Sequence, residues 1–465
     1  MNTKTKMFCG CDNDAWGKAP NTVVCPVCMG HPGALPVVNK AVIEKAVKAS
    51  KALKCTVNGK SHFDRKNYFY PDLPTGFQIS QYQHPLASHG VVKFSVTDAK
   101  TNKSVPGECR IHRLHIENDA GKLTHRAEGS LCDYNRAGTP LMEIVTEPDL
   151  RSAREASCFA EELRRIIIAA GSTEADMFKG MMRFDASISL RPKGDTKLYP
   201  RIEIKNLNSF KALEKAITYQ EKTLKKLWEE GKQPTGEVTV GWMDDEERTH
   251  VLRDKESAAD YRYFPEPDIP PLELSDAFIA ALTSGMEKLP SEMKAEYTGM
   301  GLTEAEATMI TDSEEVRSRF DAIKEKTGDA KRASSLVLTQ LTGFLTKHGK
   351  EMKDAPTAEA LVELAMAIEG KKITTTIGKD VLEKMVTTGK SAAEIIKSEG
   401  VGGMADDAAL KKMLDEAIAA NPKAIEAYKG GKTNAIGAIV GAVMKQAKGQ
   451  ADAAKVTEML LKHIG

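Results

Sequence analysis

The sequence predicts an α+β fold in which an antiparallel sheet domain precedes helical domains. Alternating apolar and polar residues, which are typical of half-buried strands, are concentrated before Leu272. After Leu272, alanine, glutamate, lysine and methionine dominate and the alternation fades. A glycine-rich breaker at residues 399–403 then divides the helical part of the chain. We therefore predict three domains: residues 1–272, 273–398 and 399–465.

The composition indicates a globular protein without a membrane partner. The 465 residues carry a net charge of +1 at pH 7, so contact with nucleic acid would need a local basic patch. Lys432, Lys445 and Lys448 form a candidate patch near the end of the chain, although a solvated lysine-rich surface would look the same. No apolar run reaches the ~18 residues that a membrane span needs. Residues 1–6 do not resemble a signal peptide, so we expect a cytoplasmic protein.

Four cysteines near the start of the chain form the first candidate site. Cys9 and Cys11 are separated by thirteen residues from the second pair, Cys25 and Cys28. Two close pairs can supply the four thiolates of a tetrahedral Zn²⁺ site. Such a site has no open coordination position, so the metal would hold the loop and take no part in chemistry. The alternatives are a disulfide pair, which is uncommon in the cytosol, or a site that has lost its metal.

The next elements are a helix and a segment rich in aromatic and basic residues. Asn39 is a predicted N-cap of a helix that runs through Leu53. Residues 63–74 then combine arginine, lysine and asparagine with several aromatic residues. Arg65 and Lys66 could meet phosphate while a tyrosine stacks on a base. A strand end with an aromatic core and solvated charges would give the same composition.

Three segments alternate cleanly and place acids beside bases on one face. They are residues 113–117, 182–190 and 201–206. They predict a largely antiparallel sheet with one apolar face. A solvated face explains any one strand, but the repetition favours a polar cradle, which suits Mg²⁺ and a triphosphate.

Glu143 stands alone as a charged residue in the apolar strand 141–145. We expect it to be buried and to need a cation or hydrogen-bond donors as partners. Glu117 lies on a second strand, and paired carboxylates on neighbouring strands predict a Mg²⁺ site.

Two helices are expected between the strands, and helices alone after them. Ser152 and Ser209 are the predicted first-turn caps of helices that end near Gly171 and Gly231. The proline-rich segment 260–271 closes the first domain, because proline cannot continue a helix or a central strand. No glycine-rich phosphate loop of the GxxxxGK[ST] kind is present, so the folds that this motif marks are not supported.

These motifs resemble the B subunit of the bacterial and organellar tRNA-dependent amidotransferase. The resemblance covers nearly the whole chain, and it is carried by residues 8–11, 25–28, 63–74, 115–122, 141–149, 203–210 and 260–267. It implies a glutamine-synthetase-like cradle domain with an antiparallel sheet, followed by a helical domain and a small helical tail domain that hold tRNA.

The resemblance also implies a carbon–nitrogen ligase reaction. The B subunit uses Mg²⁺ and ATP to phosphorylate the side-chain carboxyl of misacylated Glu-tRNA(Gln) or Asp-tRNA(Asn). An A subunit frees ammonia from glutamine, the ammonia displaces phosphate, and a small C subunit holds A and B together. The expected ligands are therefore ATP, Mg²⁺ and Zn²⁺, and the expected partners are the A and C subunits and misacylated tRNA.

The positions that match the family imply a set of site residues. Glu117 and Glu143 are the expected Mg²⁺ ligands, with Asp185 and Glu203 as further candidates. The remaining implied residues contact ATP, phosphate or the acyl group: Lys66, Asn67, Tyr68, Arg183 and Lys205. Of the whole set, Glu117, Glu143, Lys66, Arg183 and Lys205 are the expected catalytic residues.

The sequence departs from the family pattern in two places that concern the site. In the family, a strand with a Glu-Val-His pattern precedes the segment that matches residues 2–8 and adds ligands to the metal. The sequence begins after that pattern, so we expect only part of the ligand set within it. Asn118 stands where many relatives have a second acid. The rival functions are a non-catalytic, zinc-containing tRNA-binding scaffold and a stand-alone ligase that uses free ammonia.

Overall fold

The protein divides into two compact units, Met1–Ser291 and Glu292–Gly465. The computed structural model describes residues 1–97, 104–254, 261–286, 288–399, 407–429, 435–447 and 453–464. The first unit contains all the described strands, and the second is helical, so the α+β class is confirmed. Residues 400–403 of the expected breaker, together with Lys432 and Lys448, lie outside the described residues.

The strands of the first unit form two four-stranded sheets and three smaller ones. In chain order the strands are β1 Thr56–Val57, β2 Lys60–Ser61, β3 Asp64–Asn67, β4 Phe77–Ser80, β5 Ala87–Thr97, β6 Ser104–Asn118, β7 Lys122–Arg126, β8 Gly129–Asp133, β9 Pro140–Thr146, β10 Phe184–Ile188, β11 Ile202–Leu207, β12 Val238–Met243, β13 Arg248–Asp254, β14 Phe264–Pro265 and β15 Leu272–Glu273. The two larger sheets have the orders β1-β5-β6-β9 and β10-β11-β12-β13, and the others are β14-β3-β4, β15-β2 and β7-β8.

The expected single sheet is therefore wrong, although each expected strand exists. The segments 113–117 and 141–145 pair in the first large sheet, whereas 182–190 and 201–206 contribute to the second. The second sheet is not wholly antiparallel, because β11 and β12 run parallel. Alternation identifies the residues that share a face, but it does not say which strands become neighbours.

The helices of the first unit begin where the sequence places them. They are α1 Lys40–Ala52, α2 Ala153–Ala169, α3 Phe210–Glu229 and α4 Asp276–Thr283. Asn39, Ser152 and Ser209 each accept a hydrogen bond from a first-turn backbone N–H of α1, α2 and α3 respectively. Gly171 and Gly231 follow α2 and α3 with positive φ angles of 67° and 68°, a conformation that suits glycine at a helix end.

Helix α2 takes part in two apolar cores, one behind each large sheet. Its Phe159 and Leu163 belong to the core that contains β5, β6 and α1. Its Ala160 belongs to the core that contains β11, β12 and α3. Helix α4 packs on α1, with Ile279 in the first of these cores, so the first unit extends beyond Leu272. The division into the three expected domains remains a prediction.

The second unit has two apolar cores of its own, one within residues 293–395 and one within residues 410–460. The helices from Pro290 onward are α5 Pro290–Gly299, α6 Glu304–Thr311, α7 Glu314–Thr327, α8 Ala330–Ser334, α9 Thr342–Lys347, α10 Ala358–Glu369, α11 Thr375–Thr388, α12 Ala392–Glu399, α13 Asp407–Ala420, α14 Pro422–Lys429, α15 Ile436–Gln446 and α16 Ala453–Ile464. A π-helical segment, Ser335–Leu341, joins α8 to α9. Across the described ranges, every helix is too short or too polar to cross a membrane.

Candidate active site

A polar cavity of about 490 Å³ lies in the first unit, with side chains from both large sheets in its wall. It is lined by Lys66, Tyr68, Asp72, Gln78, Glu117, Asp119, Ala120, Gly121, Arg136, Glu143, Arg183, Asp185, Glu203, Lys205, Thr239 and Tyr261. Eight of the nine site residues expected outside the cysteine cluster are in this lining. The exception is Asn67.

One wall of the cavity carries Glu117 and Glu143, which form a cluster with His115 on β6 and β9. The antiparallel register places His115 opposite Glu143, and Glu117 is two residues along β6. His115 Nε2 lies 3.6 Å from Glu117 Oε2 and 3.7 Å from Glu143 Oε2. Because the three ligand atoms lie within 4.8 Å of one another, they could bind one divalent cation.

The expected burial of Glu143 is wrong, and Glu117 is the buried acid. The Glu143 side chain is 48% exposed, whereas the Glu117 side chain is 5% exposed. The cause is that β9 lies at the edge of its sheet, so its apolar residues are only half-buried. Glu143 faces the cavity and does not lie among apolar side chains.

The environment of Glu117 favours its ionised form despite the burial. Burial tends to raise the pKa of this carboxyl, but interactions with His115 and the charge on Lys66 lower it below its usual value. Ser80 Oγ also donates a hydrogen bond of 2.7 Å to Glu117 Oε2. A carboxylate kept ionised beside a second carboxylate is suited to binding a cation.

His115 was absent from the site expected from the sequence. It is 3% exposed, and its Nδ1 has no hydrogen-bond partner among the described residues. A signal was present, since Arg113, His115 and Glu117 were expected on one face of a strand. Its position opposite Glu143 depends on strand register, which the sequence does not specify.

A second wall comes from the second large sheet, through Asp185, Glu203, Lys205 and Thr239. Lys205 Nζ lies 3.4 Å from Asp185 Oδ2 and 3.6 Å from Glu203 Oε1. Burial lowers the pKa of Lys205, but these two acids outweigh it and raise the pKa above its usual value. Thr239 Oγ1 also donates to Glu203 Oε2 at 3.2 Å. Asp185 and Glu203 therefore line the same cavity as Glu117, but their neighbour is Lys205, whereas the neighbour of Glu117 is His115.

The basic segment around β3 divides between the cavity and the scaffold. Lys66 faces the cavity, with its Nζ 5.0 Å from the centre of the Tyr261 ring. Arg65 does not meet the cavity; instead it donates two hydrogen bonds to the buried Glu266. The Asn67 amide donates to the carbonyl oxygen of Arg262 at 2.8 Å, which ties β3 to the segment before β14.

The four N-terminal cysteines form a second cluster within the first unit. Their Sγ atoms lie within 4.8 Å of one another, and all four are free thiols. The pKa of Cys28 is lowered to about 5, first by a hydrogen bond from Cys9 and also by the backbone N–H of Cys25. The pKa of Cys9 is raised, first by its hydrogen bond to Cys28, and that of Cys11 is raised, first by burial. The fit to a structural zinc ion therefore rests on the four close sulfur donors.

Comparison with known proteins agrees with this architecture. A family described as the GatB/GatE catalytic domain matches residues 1–280, and one described as the GatB domain matches residues 318–464. The B subunit of the aspartyl/glutamyl-tRNA(Asn/Gln) amidotransferase from Acaryochloris marina is 40% identical, over 100% of this chain and 95% of its own. The corresponding protein from Symbiobacterium thermophilum is 43% identical over 97% of this chain and 93% of its own, and that from Persephonella marina 41% over 99% and 96%.

An α+β unit with a cavity of carboxylates and cations, followed by a helical unit, defines this chain as an enzyme component of the tRNA-dependent amidotransferase class, a ligase type. The chain belongs to the GatB family, the B subunits of the aspartyl/glutamyl-tRNA(Asn/Gln) amidotransferases.

Proposed function

We propose that this chain uses ATP and Mg²⁺ to phosphorylate the side-chain carboxyl of Glu-tRNA(Gln), Asp-tRNA(Asn) or both, and then lets ammonia replace the phosphate. The observation that carries the proposal is a single cavity whose lining combines Glu117 and Glu143, the carboxylates of the cluster with His115, with Lys66, Arg183 and Lys205. Acids that hold a cation and bases that hold phosphate oxygens are the groups that phosphoryl transfer requires.

The chemistry requires activation because a carboxylate does not accept ammonia. A carboxylate oxygen attacks the γ-phosphorus of ATP, the bond to the bridging oxygen breaks, and ADP leaves. Ammonia then attacks the carbonyl carbon of the acyl phosphate, and the amide forms as phosphate departs and a proton is lost. Both steps place negative charge on phosphate oxygens, so fixed cations in the cavity lower their barriers.

The residues of the cavity take separate roles in this scheme. Glu117 and Glu143 would hold Mg²⁺, which when bound neutralises phosphate oxygens. Mg²⁺ prefers oxygen ligands, so we assign His115 to orient the two carboxylates. Asp185 and Glu203 remain candidate ligands, although Lys205 lies between them.

The phosphate-binding roles fall to the cations of the cavity. Lys66 and Arg183 would contact ATP, and Lys205 the acyl phosphate, since all three line the cavity. Tyr68, which also lines the cavity, would contact the nucleotide. Asn67 would act through its hydrogen bond to Arg262 by holding the backbone of Lys66 in place.

The remaining ligands and partners follow from family membership and the cysteine cluster. Zinc on Cys9, Cys11, Cys25 and Cys28 would be structural, because four thiolates leave no position for a substrate. The relatives are named as B subunits, which supports a glutaminase A subunit and a small C subunit as partners. Misacylated tRNA would bind the helical region, and the first unit would be the glutamine-synthetase-like cradle.

The test is ATP hydrolysis and formation of amidated tRNA by the chain with its A and C subunits. We expect both to require glutamine and misacylated tRNA, and the Glu143→Gln variant to lose activity on the order of 100-fold. Glu108→Gln is the matched control, because Glu108 is exposed on the same strand as Glu117 and outside the cavity. It should keep wild-type activity.

Each other outcome contradicts a different part of the proposal. Activity that survives Glu143→Gln would overturn the metal assignment. A wild-type chain that binds tRNA without hydrolysing ATP would be a scaffold. Amidation from ammonium without the A subunit would indicate a stand-alone ligase.

A further inference from the structure

Lys6 is a fully buried lysine beside the cysteine cluster. Its residue surface is 0% exposed, and its Nζ donates a hydrogen bond of 2.8 Å to the carbonyl oxygen of Val23. The same Nζ lies 3.7 Å from Cys28 Sγ. Within the described ranges Lys6 forms no ion pair with a carboxylate. A buried ammonium needs an anionic partner, and the sulfur of Cys28 is the one in reach.

The charge of a metal-loaded cluster complements this lysine. Four thiolates around one divalent cation carry a net charge of −2, and the ammonium of Lys6 halves it. A hydrogen bond from outside the ligand set also orients a ligand and stabilises its ionised form. Lys6 is thus placed as a cation of the outer coordination sphere.

The loop between the two cysteine pairs grips a turn at residues 133–138. Val23 N–H donates to Asn135 Oδ1 at 2.8 Å, and the Asn135 amide donates back to the carbonyl oxygen of Ala19 at 2.7 Å. Asn21 accepts a hydrogen bond of 2.7 Å from the backbone of Tyr134. The cysteines close this loop at both ends, so a bound metal would fix the shape that makes these contacts.

A second set of contacts joins the same turn to Lys6 and Cys28. Met7, next to Lys6, donates its backbone N–H to the carbonyl oxygen of Gly138 at 2.8 Å. A Cβ on Gly138 would lie 3.3 Å from Cys28 Cβ and 3.5 Å from Lys6 Cδ. Gly138 has a φ of 87°, so any other residue would be strained as well as crowded.

The gripped turn carries a residue of the cavity. Arg136 lies within it and forms an ion pair of 2.8 Å with Asp119, and both residues line the cavity. The backbone N–H of Gly138 donates to the carbonyl oxygen of Asp119 at 2.9 Å. Movement of the turn would therefore displace Arg136 and Asp119 from their positions in the cavity lining.

We infer that the cysteine site is a metal-dependent clamp on the 133–138 turn, with Lys6 as its buried counter-cation. The clamp positions Arg136 and Asp119 at the cavity and touches no substrate. The inference rests on the proposed structural metal and not on the proposed reaction, so its test does not use catalysis.

The first measurement is zinc affinity of the full-length chain, by competition with a chromogenic chelator. We expect one zinc per wild-type chain and a dissociation constant about 10- to 100-fold weaker in Lys6→Met. Methionine retains the approximate volume of lysine without its charge. Lys4→Met is the control, because Lys4 is exposed two residues earlier, and it should bind zinc as the wild type does.

The second measurement is hydrogen–deuterium exchange of the 133–138 amides, followed by mass spectrometry. Removing zinc from the wild type should accelerate exchange in this turn. Exchange in helix α10, which lies in the second unit, should not change. Asn135→Ala removes the hydrogen bonds to Val23 and Ala19, so exchange in the turn should become faster and depend less on zinc, and by linkage zinc should bind more weakly.

Several results would overturn the inference. A wild-type chain that binds no zinc, or a Lys6→Met chain that binds it as tightly as wild type, removes the counter-cation. Equal exchange in the turn with and without zinc removes the clamp. A wild-type chain that binds zinc and shows zinc-dependent exchange in the turn, but has no amidotransferase activity, would contradict only the proposed function.

Discussion

The ion pair of Arg65 and Glu266 is the residue-scale contact that holds β14 against β3. Arg65 donates hydrogen bonds of 2.7 and 2.9 Å to a Glu266 side chain that is 1% exposed. The guanidinium also stacks on Phe77 at 4.2 Å. The pKa of Arg65 is raised, first by these hydrogen bonds. The pair positions the strand that carries Lys66, so its function is structural.

We expect Glu266→Gln to destabilise the first unit by about 2 kcal/mol, because the guanidinium loses a charge-assisted pair of hydrogen bonds and keeps only Asp268, at 3.2 Å, as a counter-charge among the described residues. All three tryptophans, Trp16, Trp228 and Trp242, lie in the first unit. Urea unfolding followed by tryptophan fluorescence therefore reports on this unit. Glu273→Gln is the control, since Glu273 is exposed, and should change stability by less than about 0.5 kcal/mol. Equal stability of the two variants would contradict the role of the pair.

For single residues, the sequence predicted which charged side chains line the cavity better than it predicted how buried each of them is. Alternation predicted that Glu117 and Glu203 share faces with basic residues, because side-chain direction in a strand depends only on residue parity. It could not predict that Glu143 is exposed, because an apolar run looks the same at a sheet edge and at its centre. His115 and Arg136 enter the site through strand register and a turn, which are set by contacts distant in sequence.

The first-turn cap of α3 links an element to the second wall of the cavity. Helix α3 follows β11, which carries Glu203 and Lys205. Ser209 Oγ accepts a hydrogen bond of 2.9 Å from the backbone N–H of Ala212. We expect Ser209→Ala to cost about 1 kcal/mol in the free energy of unfolding, because that N–H loses its acceptor. The measurement is again urea unfolding by tryptophan fluorescence, since Trp228 lies in α3.

Ser209→Asp separates the cap from other effects of the substitution. Aspartate also accepts this hydrogen bond, and its charge is favourable at a helix N-terminus. It should therefore retain stability within about 0.5 kcal/mol of the wild type. A loss as large as that of Ser209→Ala would mean that the serine contributes through packing.

Elements were predictable where local chemistry decides them. The caps of α1, α2 and α3 are residues whose side chains bond to their own helix, so the sequence places them correctly. The partition of strands into two sheets was not predictable, because alternation gives the direction of side chains and not the neighbour of a strand. The π-helical segment Ser335–Leu341 likewise lies in a sequence that looks uniformly helical.

At the scale of the whole molecule, each unit has apolar cores built from its own residues. The cores of the first unit contain residues up to Leu289, and those of the second begin at Met293. The change in composition at Leu272 predicted that helices follow the sheets, but composition does not show against which core a helix packs. Helix α4 looks like the helices after it and yet packs on α1.

This packing predicts different outcomes for two truncations of the chain. A protein of residues 1–291 should fold, with an unfolding midpoint by tryptophan fluorescence equal to that of the full chain. A protein of residues 1–272 lacks α4, and with it the buried Ile279 and the partly buried Phe278 and Leu282 of the first core. We expect it to be less stable by about 2–5 kcal/mol, the usual cost of removing buried apolar side chains. Equal stability of the two would place the boundary at Leu272, and failure of both to fold would show that the first unit depends on the second.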